Sequence, residues 1–477
     1  MGMISKAYKA ELNPTNSQIT LFRRHLGSSR FIYNWALDNR ICNNLVRKSM
    51  NYLDDEIEID GHVIKTYEYI TLKIGKKKIS FAIYENLTKF DQSAELTQYK
   101  KEIDWLKEPD AMTLVASIGD LDKAYQNFFK RIEKGDNKLG YPKFKSRRND
   151  KSFHVHYQST ELHGRYLKLG KIGRVKIKDH GYLPDTKYNS VTISTTGNKW
   201  FVSVQVDEEI NNPEFNNERI IGIDVGVKSF ATLSDGTIYD HPMPYKRNLR
   251  KMRRVQKSMS RSMLKNGGRD EKNIFIKNWT PTKNFLKEKN EISRIQYKIK
   301  KIREDFIHKT TTEIINNYDI ICVEGLKIKN MTKKKKGIGK RGRGANRAML
   351  DQGWGEFVRQ LKYKAEWYGK IVLVVDTFFP STKMCSRCGN IKDSIKLTER
   401  TYRCEKCGAE INRDLNASHN LMIVAAGLSE TLNACGDGSA GPMLKTTIHG
   451  HDVIVEVFGS SGTTTVKQEP GISEVIT

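Results

Sequence analysis

The chain has 477 residues, of which 82 are Lys or Arg and 55 are Asp or Glu, so its formal net charge at pH 7 is +27. At about 100–200 residues per domain, this length predicts two to four domains. A composition that is 38% hydrophobic and 9% aromatic excludes a wholly disordered chain. The charge favours nucleic acid as the partner over an anionic membrane surface, because no amphipathic anchoring segment stands out.

The sequence pattern contains neither a membrane span nor an export signal. The longest strongly apolar run, 371–379, is interrupted by Asp376. It is far shorter than the roughly 18 residues that a membrane span requires. The first residues lead directly into polar and charged positions without an apolar segment. We therefore expect a cytoplasmic, nucleoid-associated protein with no membrane partner.

The first half of the chain predicts helices flanked by strands. Residues 4–13 alternate as a strand, and the Thr-Asn-Ser cluster at 15–17 is typical of a helix start. Residues 113–133 carry apolar side chains at spacings of three and four, as an amphipathic helix does, whereas 52–85 favour an irregular or β-rich insertion. From about 141 to 206 the apolar period changes to two, which predicts a small antiparallel barrel.

The second half predicts a sheet with a particular strand order. In chain order the predicted elements are three short strands, a long basic helical region, a strand, a helix and a strand, at 220–225, 230–233, 238–239, 246–317, 319–324, 346–368 and 370–375. Three antiparallel strands followed by helix, strand, helix and strand is the order of an RNase H-like sheet.

Two of these strands end in an acid, and a third acid opens a later helix. The first strand ends with Asp224, the fourth with Glu324, and Asp414 lies in Asn-Arg-Asp-Leu-Asn at a helix start. Each acid alone has an ordinary explanation as a turn, an exposed strand end or a helix N-cap. Together, in this strand order, they predict a site for two Mg²⁺ ions roughly 3.5–4 Å apart, as phosphodiester hydrolysis requires.

Four of the seven cysteines form two CxxC pairs, Cys385 with Cys388 and Cys404 with Cys407, and a glycine follows each pair. Four thiolates suit tetrahedral zinc, and the glycines allow the chain to turn back toward the sulfur atoms. We predict one structural Zn²⁺ in a zinc ribbon. Because the ribbon ends just before Asp414, zinc is expected to fold the segment that supplies the third acid.

Two basic segments are candidates for binding a nucleic-acid backbone. The segment at 143–148 interleaves cations with an aromatic residue. The segment at 333–347, which follows Glu324, is a tract of Gly, Lys and Arg. For both, the alternative is a solvated loop. The candidate residues are Lys143, Lys145, Arg147, Arg148, Lys333, Lys334, Lys335, Lys336, Arg341 and Arg343. Neither a Walker A run nor GxGxxG occurs, so nucleotide hydrolysis lacks its usual signature.

These motifs resemble the TnpB family of transposon-encoded, RNA-guided DNA endonucleases, which are related to the miniature type V CRISPR effectors. The likeness extends in order over about residues 4–430. The most specific matching segments are Ile-Asp224-Val-Gly-Val-Lys, Val-Glu324-Gly-Leu, Phe-Pro380-Ser-Thr-Lys-Met-Cys385-Ser-Arg-Cys388-Gly and Asn-Arg-Asp414-Leu-Asn-Ala.

The resemblance implies a multidomain α+β protein. It consists of a β-barrel wedge domain with an inserted helical recognition domain, and an RNase H-like RuvC nuclease domain with an inserted zinc ribbon. The implied boundaries are 1–13 and 137–212 for the wedge, 14–136 for the recognition domain with an insertion near 48–85, 213–380 and 411–430 for the nuclease, 381–410 for the ribbon, and 431–477 for a disordered tail.

The resemblance also implies partners and chemistry. A structured guide RNA would select a double-stranded DNA target beside a short adjacent motif, and Asp224, Glu324 and Asp414 match the RuvC acids that hold the two Mg²⁺ ions. We expect a monomeric ribonucleoprotein. Because the 3′ coding end overlaps the guide RNA in this family, we hypothesise that RNA folding shapes the tail, so that deletion of 446–477 leaves cleavage intact.

Four alternatives remain open at the level of sequence. A nuclease-inactive RNA-guided repressor would have lost an acid, and this chain retains all three. A guide-free transposon-associated DNA-binding protein is a second alternative. An actin-like ATPase also has a first strand that ends in Asp-x-Gly, but it needs a second phosphate loop. A CRISPR-associated miniature type V effector would have the same chemistry as the preferred hypothesis.

Overall fold

In the computed structural model, the chain divides into two compact units. One comprises Ser5–Asp207, and the other comprises Met1–Ile4 together with Glu208–Thr477. The structure describes residues 2–51, 69–74, 77–82, 87–133, 135, 140–147, 151–179, 181–196, 199–210, 219–268, 275–276, 279–333, 340–396, 399–434 and 443–459. No helix within these ranges is long and apolar enough to cross a membrane.

In its described residues, the first unit contains a seven-stranded sheet, a two-stranded hairpin and three α-helices. Its elements are β1 (Gly2–Asn13), α1 (Asn16–Asn51), β2 (Tyr69–Ile74), β3 (Lys77–Ala82), α2 (Lys89–Glu102), α3 (Ala111–Glu133), β4 (Ser152–Val155), β5 (Thr160–His163), β6 (Tyr166–Leu169), β7 (Gly173–Ile177), β8 (Ser190–Thr196) and β9 (Lys199–Ile210). The sheet order is β4-β8-β9-β1-β7-β6-β5, and its described pairings are antiparallel. The described residues show no pairing between β4 and β5, so a closed barrel stays a prediction.

The helices of this unit follow the sequence signals. Thr15 and Gln18 cap α1 reciprocally, because each backbone N–H donates to the side-chain oxygen of the other residue, at 3.0 and 3.3 Å. The predicted helix at 113–133 is confirmed as α3. Within the predicted insertion, β2 and β3 form an antiparallel hairpin, and residues 52–68, 75–76 and 83–86 lie outside the described part of the chain.

The second unit contains a mixed sheet, six helices and a small two-stranded sheet in its described residues. Its elements are β10 (Ile220–Val225), β11 (Ala231–Leu233), β12 (Ile238–Tyr239), α4 (Pro244–Lys265), α5 (Lys283–Asn317), β13 (Ile320–Glu324), α6 (Ile328–Met331), α7 (Lys340–Gln352), α8 (Trp354–Tyr368), β14 (Ile371–Val375), β15 (Thr401–Arg403), β16 (Glu410–Asn412), α9 (Arg413–Ala434), β17 (Met443–Ile448) and β18 (His451–Phe458).

Five of the seven strands in the large sheet follow the order that the sequence predicts, and β18 and β17 are added beyond β14. The sheet reads β12-β11-β10-β13-β14-β18-β17, with β10, β13 and β14 parallel to one another and the other pairs antiparallel. Side chains alternate between its faces. Ile221 and Val323 pack with α5 and α8 on one face, whereas Ile320 and Cys322 pack with α9 on the other.

The predicted disordered tail is wrong for residues 443–458. β18 pairs with β14, and Val453 and Val455 are buried in the apolar cluster that includes α9. The alternating Val-Ile-Val-Glu-Val at 453–457 carries this signal, which the surrounding Gly, Ser and Thr residues obscure. A deletion of 446–477 would therefore remove β18 from the sheet. Residues 435–442 and 460–477 of the predicted tail lie outside the described part.

A second difference concerns the basic tract after β13. The sequence predicts a loop up to about residue 346, but α7 begins at Lys340 and ends at Gln352, and Gly353, with φ +78°, separates it from α8. The left-handed backbone at Gly353 suits glycine, so the predicted single helix at 346–368 is two helices.

We predict that the β17–β18 hairpin stabilises the second unit. A chain that ends at Ala434 should unfold at a lower temperature than one that ends at Gly459. Each buried side chain lost, such as Val453 or Val455, costs about 1.5–3 kcal/mol of stability, and the edge of β14 becomes unpaired. Circular dichroism on heating measures this difference between the two truncated chains. Equal midpoints would contradict a structural role for the hairpin.

Candidate active site and metal centres

Two of the predicted acids end adjacent parallel strands. β10 and β13 pair in register, with Ile223 opposite Val323, so the next residues, Asp224 and Glu324, lie at the same level. Both belong to the alternating set that faces α9, since Ile223 and Val323 pack on the opposite face. The two carboxylates therefore emerge from one face at one edge of the sheet.

Helix α9 brings the third acid over this edge. Asn412 caps the helix, because its Oδ1 accepts from the backbone N–H of Asp414 at 3.0 Å and of Leu415 at 3.2 Å. Four residues after Asp414, the helix backbone lies directly on β10. A Cβ atom at Gly222 would lie 2.0 Å from the carbonyl oxygen of Ser418. Asp414 is thus held one helical turn from the point where α9 touches the strand that ends in Asp224.

The electrostatics of the three acids favour a bound cation. Burial, followed by the charges of Asp414 and Glu324, raises the pKa of Asp224 to about 7, and Arg413 only partly opposes this. Burial alone raises the pKa of Glu324 to about 7. Like charges that share a desolvated site resist joint ionisation unless a cation neutralises them. Carboxylate oxygens are the ligands that Mg²⁺ prefers, so this donor set fits the predicted metal.

Two arginines near Asp414 were not identified from the sequence. Arg413 Nη2 lies 3.1 Å and Arg400 Nη1 lies 3.9 Å from the Asp414 carboxylate. Arg413 also donates from Nη1 to the carbonyl of Glu399 at 2.9 Å, which connects the ribbon segment to the acid. Arg413 is part of the Asn-Arg-Asp motif, but the contact of its side chain with Asp414 depends on the backbone turn that begins α9.

The four predicted zinc ligands come together. Their sulfur atoms all lie within 4.8 Å of one another, with Cys385 and Cys407 3.7 Å apart and Cys388 and Cys404 3.5 Å apart. Tetrahedral Zn–S bonds of about 2.3 Å place sulfur atoms at similar separations, so this set fits zinc. No other group of this compactness occurs among the described residues, and the three acids form a more open set.

Two buried asparagines join the cysteine cluster to α9. Asn416 Nδ2 donates to the carbonyl of Met384 at 2.7 Å, and Asn416 Oδ1 accepts from the N–H of Ser386 at 3.0 Å. Asn420 Nδ2 donates to the carbonyls of Ser381 and Met384, each at 2.7 Å. The first CxxC turn is therefore bonded to the helix that carries Asp414. Asn416 belongs to the Asn-Arg-Asp-Leu-Asn motif, but the sequence does not predict that its side chain bonds to the first CxxC turn.

The predicted basic residues fall into three groups. Lys143, Arg147, Lys333 and Arg343 are exposed, as backbone contacts require. Lys145 is half-buried and makes contacts within the protein. Its Nζ lies 3.4 Å from Asp120 Oδ2 and 4.3 Å from the ring centroid of Tyr33. The remaining candidates lie outside the described residues or have side chains that do, namely Arg148, Lys334, Lys335, Lys336 and Arg341.

A further basic surface lies on α4, which contains no acid. Its buried side includes Met252 and Met263, whereas its exposed side carries cations at spacings of three and four. These are Arg247, Arg250, Arg254, Lys257 and Arg261. At 1.5 Å per residue the stripe is about 21 Å long. The sequence indicated that this region is basic, but only the observed helix shows which of its cations share one exposed side.

Three family models match the chain. The model described as "Probable transposase" matches residues 201–335, "Cas12f1-like, TNB domain" matches 354–421, and "Helix-turn-helix domain" matches 1–43. In the structure, residues 2–43 form β1 and the first part of the continuous helix α1, without a turn between two helices.

Curated relatives extend over most of the chain. "Putative RNA-guided DNA endonuclease InsQ" of Escherichia coli (strain K12) is 30% identical over 442 residues, which cover 91% of this chain and 94% of that protein. A Streptomyces pristinaespiralis protein with the same general description is 28% identical, covering 92% of each chain. The CRISPR-associated endodeoxyribonuclease Cas12f1 of Sulfoacidibacillus thermotolerans is 28% identical over 47% of this chain and 50% of its own length.

A chain with these acids, this cysteine cluster and these relatives is of the class that includes transposon-encoded nucleases and miniature type V effectors. It belongs to the TnpB family.

We predict that Gly222→Ala displaces α9. The added Cβ would lie 2.0 and 2.4 Å from backbone atoms of Ser418 and Met422, which cannot rotate away. Overpacking of this kind costs about 1–3 kcal/mol of stability, and a displacement of Asp414 by about 1 Å should lower metal-dependent DNA cleavage by about 100-fold. As the control, Gly355→Ala meets only Ile328 Cδ1, at 3.7 Å. Equal activity of the two variants would contradict the packing argument.

We also predict that Asp224→Asn stabilises the protein in buffer without added Mg²⁺. The folded-state pKa of about 7 lies above the ordinary 3.8, so stability contributed by the protonated acid is present below about pH 4 and is lost as the pH rises through 7. The variant should gain about 1–3 kcal/mol of unfolding free energy at pH 8, with the gain shrinking toward pH 4. Urea unfolding across this pH range measures it.

The same titrations with Mg²⁺ provide the control. Binding to the folded state alone should stabilise the original protein and leave Asp224→Asn little changed. The variant's gain in unfolding free energy over the original protein should be larger at pH 8 than at pH 4. A larger gain at pH 4 would refute the upward shift of the Asp224 pKa.

Proposed function

We propose that this chain is an RNA-guided, RuvC-type DNA endonuclease in which Asp224, Glu324 and Asp414 hold two catalytic Mg²⁺ ions. The observation that carries the proposal is that two carboxylates end adjacent parallel strands and that a third, on the helix packed against one of these strands, is near enough for its charge to act on Asp224. Hard cations require oxygen ligands, and a bound cation would stabilise the ionised forms of Asp224 and Glu324 that burial disfavours.

Each protein group has a defined task in this mechanism. Mg²⁺, when bound, supplies charge stabilisation to the attacking and leaving oxygens of a phosphodiester. Asp224, on which the charges of both other acids act, would hold the ions together with Glu324 and Asp414. Arg413 holds the Asp414 carboxylate from the ribbon side. Cys385, Cys388, Cys404 and Cys407 would hold Zn²⁺, and their bonds to it would order the ribbon that is hydrogen-bonded to α9.

The partners proposed are a guide RNA and a double-stranded DNA target. The net charge of +27 and the exposed stripe on α4 support binding to phosphate backbones. The curated relatives are described as RNA-guided DNA endonucleases. In this arrangement base pairing reads the target sequence, while the protein reads nucleic-acid shape and an adjacent motif. The particle we propose is a monomeric, nucleoid-associated ribonucleoprotein.

The proposal includes a domain assignment. A wedge domain at 1–13 and 137–212, with a recognition domain at 14–136, is supported by the sheet and three helices of the first unit. A nuclease domain at 213–380 and 411–430, with the ribbon at 381–410, is supported by the sheet order of the second unit. The nuclease domain should be extended to residue 459, because β18 belongs to its sheet.

The guide is tested by expressing the gene with its native flanking DNA and sequencing the RNA that copurifies with the protein. An RNA that covers the 3′ end of the gene and continues into neighbouring DNA supports the transposon assignment, and repeat-derived RNA would support a CRISPR-associated effector. Absence of any discrete RNA would favour a guide-free DNA-binding protein and would overturn the proposal of guided cleavage.

We predict that Asp224→Ala abolishes Mg²⁺-dependent target cleavage, by at least about 1,000-fold, because one of the proposed metal ligands is lost. RNA copurification and target binding should be unchanged, since neither depends on the acids. Glu366→Ala, an exposed acid on α8, is the control and should cleave normally. Gel-based cleavage and filter binding measure the two properties. Full-rate cleavage by Asp224→Ala would refute the assignment of the site.

A further inference from the structure

The loop that leaves the sheet beside Glu324 holds an exposed phenylalanine. Val375, the last residue of β14, is the register partner of Glu324, and Phe378 follows three residues later. Three residues of chain span at most about 11 Å, so Phe378 lies close to the edge that carries the acids. Its side chain is 86% exposed, the largest value among the large apolar side chains in the described part of the chain.

Local bonding fixes the loop so that this ring faces solvent. The backbone N–H of Phe378 donates to Asp376 Oδ1 at 2.8 Å, and that of Phe379 donates to the Asp376 carbonyl at 3.1 Å. The Thr377 hydroxyl donates to the carbonyl of Gly325. Phe379 is buried in the cluster that includes α9. One aromatic residue thus anchors the loop, and its neighbour is presented outward.

A cation accompanies the exposed ring. Lys327, three residues after Glu324, places Nζ 5.3 Å from the ring centroid of Phe378, and its side chain is exposed. The lysine stabilises the ring position and supplies positive charge beside it. An aromatic face next to a cation matches a nucleobase and its phosphate. An apolar protein surface would instead desolvate the ammonium group.

Single exposed apolar residues are common on protein surfaces and need no explanation by themselves. Here three independent observations coincide, namely the position beside a catalytic acid, a loop held on both sides by hydrogen bonds, and a cation over the ring. We propose that Phe378 and Lys327 form a stacking platform that positions an unpaired base of the DNA strand entering the nuclease site. This inference rests on the proposed nuclease function and makes Phe378 a positioning residue.

Stacking is tested directly with a single-stranded DNA oligonucleotide that contains 2-aminopurine, whose fluorescence is quenched when the base stacks. The full-length protein carries Asp224→Asn, in buffer without Mg²⁺, so that no cleavage occurs. We expect quenching with Phe378 and with Phe378→Tyr, which keeps an aromatic face. Phe378→Leu should lose the quenching, and its dissociation constant should rise about tenfold, as base–aromatic stacking contributes elsewhere.

Phe275→Leu is the matched control, because Phe275 is 51% exposed in the same unit but is remote in sequence from the acids. Retained quenching in Phe378→Leu, or an equal loss in Phe275→Leu, would overturn the platform.

A second readout uses the complete ribonucleoprotein. Phe378→Leu should slow single-turnover cleavage about tenfold while leaving target affinity unchanged, and Phe378→Tyr should restore the rate. A weakened target affinity with a normal cleavage rate would overturn the positioning role. If the original protein cleaves no guided target, the proposed function fails, whereas the oligonucleotide assay still decides whether Phe378 stacks on a base.

Discussion

The contact between α9 and β10 at Gly222 is the constraint on which the site depends. A side chain at this position would overlap the helix backbone, so only glycine lets α9 lie directly on the strand. The contact lies two residues before Asp224 and one helical turn after Asp414, which fixes the distance between the two acids through backbone atoms. A backbone contact is stiffer than a side-chain contact, because neither partner has a rotamer that can change.

Three acids near the carboxyl ends of neighbouring strands destabilise the folded state, because their charges repel one another. At the opposite ends of these strands, ion pairs stabilise the sheet. Asp319, which is 1% exposed, precedes β13 and accepts from Lys370 Nζ at 2.6 Å and from Arg219 Nε at 3.2 Å. Burial raises the pKa of Asp319, but these hydrogen bonds outweigh it and lower that pKa. The beginnings of β10, β13 and β14 are thus held by opposite charges, while the ends of β10 and β13 carry like charges.

The grouping of the four cysteines and the position of two acids at neighbouring strand ends could be predicted from sequence because each lies in a short motif, whereas their roles as metal ligands stay predictions. The sheet order followed from the succession of strands and helices, and β10, β13 and β14 confirm it. The hairpin at 443–458 was missed because the Gly, Ser and Thr residues around it obscure its short alternating pattern. Arg400 and Asn420 were missed for a related reason, since their partners are fixed by the packing of the ribbon on α9 and not by spacing.

The ribbon is bonded to both sides of Asp414, so a metal held by its four cysteines would be linked to the proposed active site. On one side, β16 ends at Asn412, the cap that orients the first turn of α9. On the other side, Asn416 and Asn420 bond the first CxxC turn to the next two turns of the helix. Four thiolates without zinc would repel one another and loosen both attachments. A zinc ion held by these cysteines would therefore fix the position of Asp414 in the proposed site.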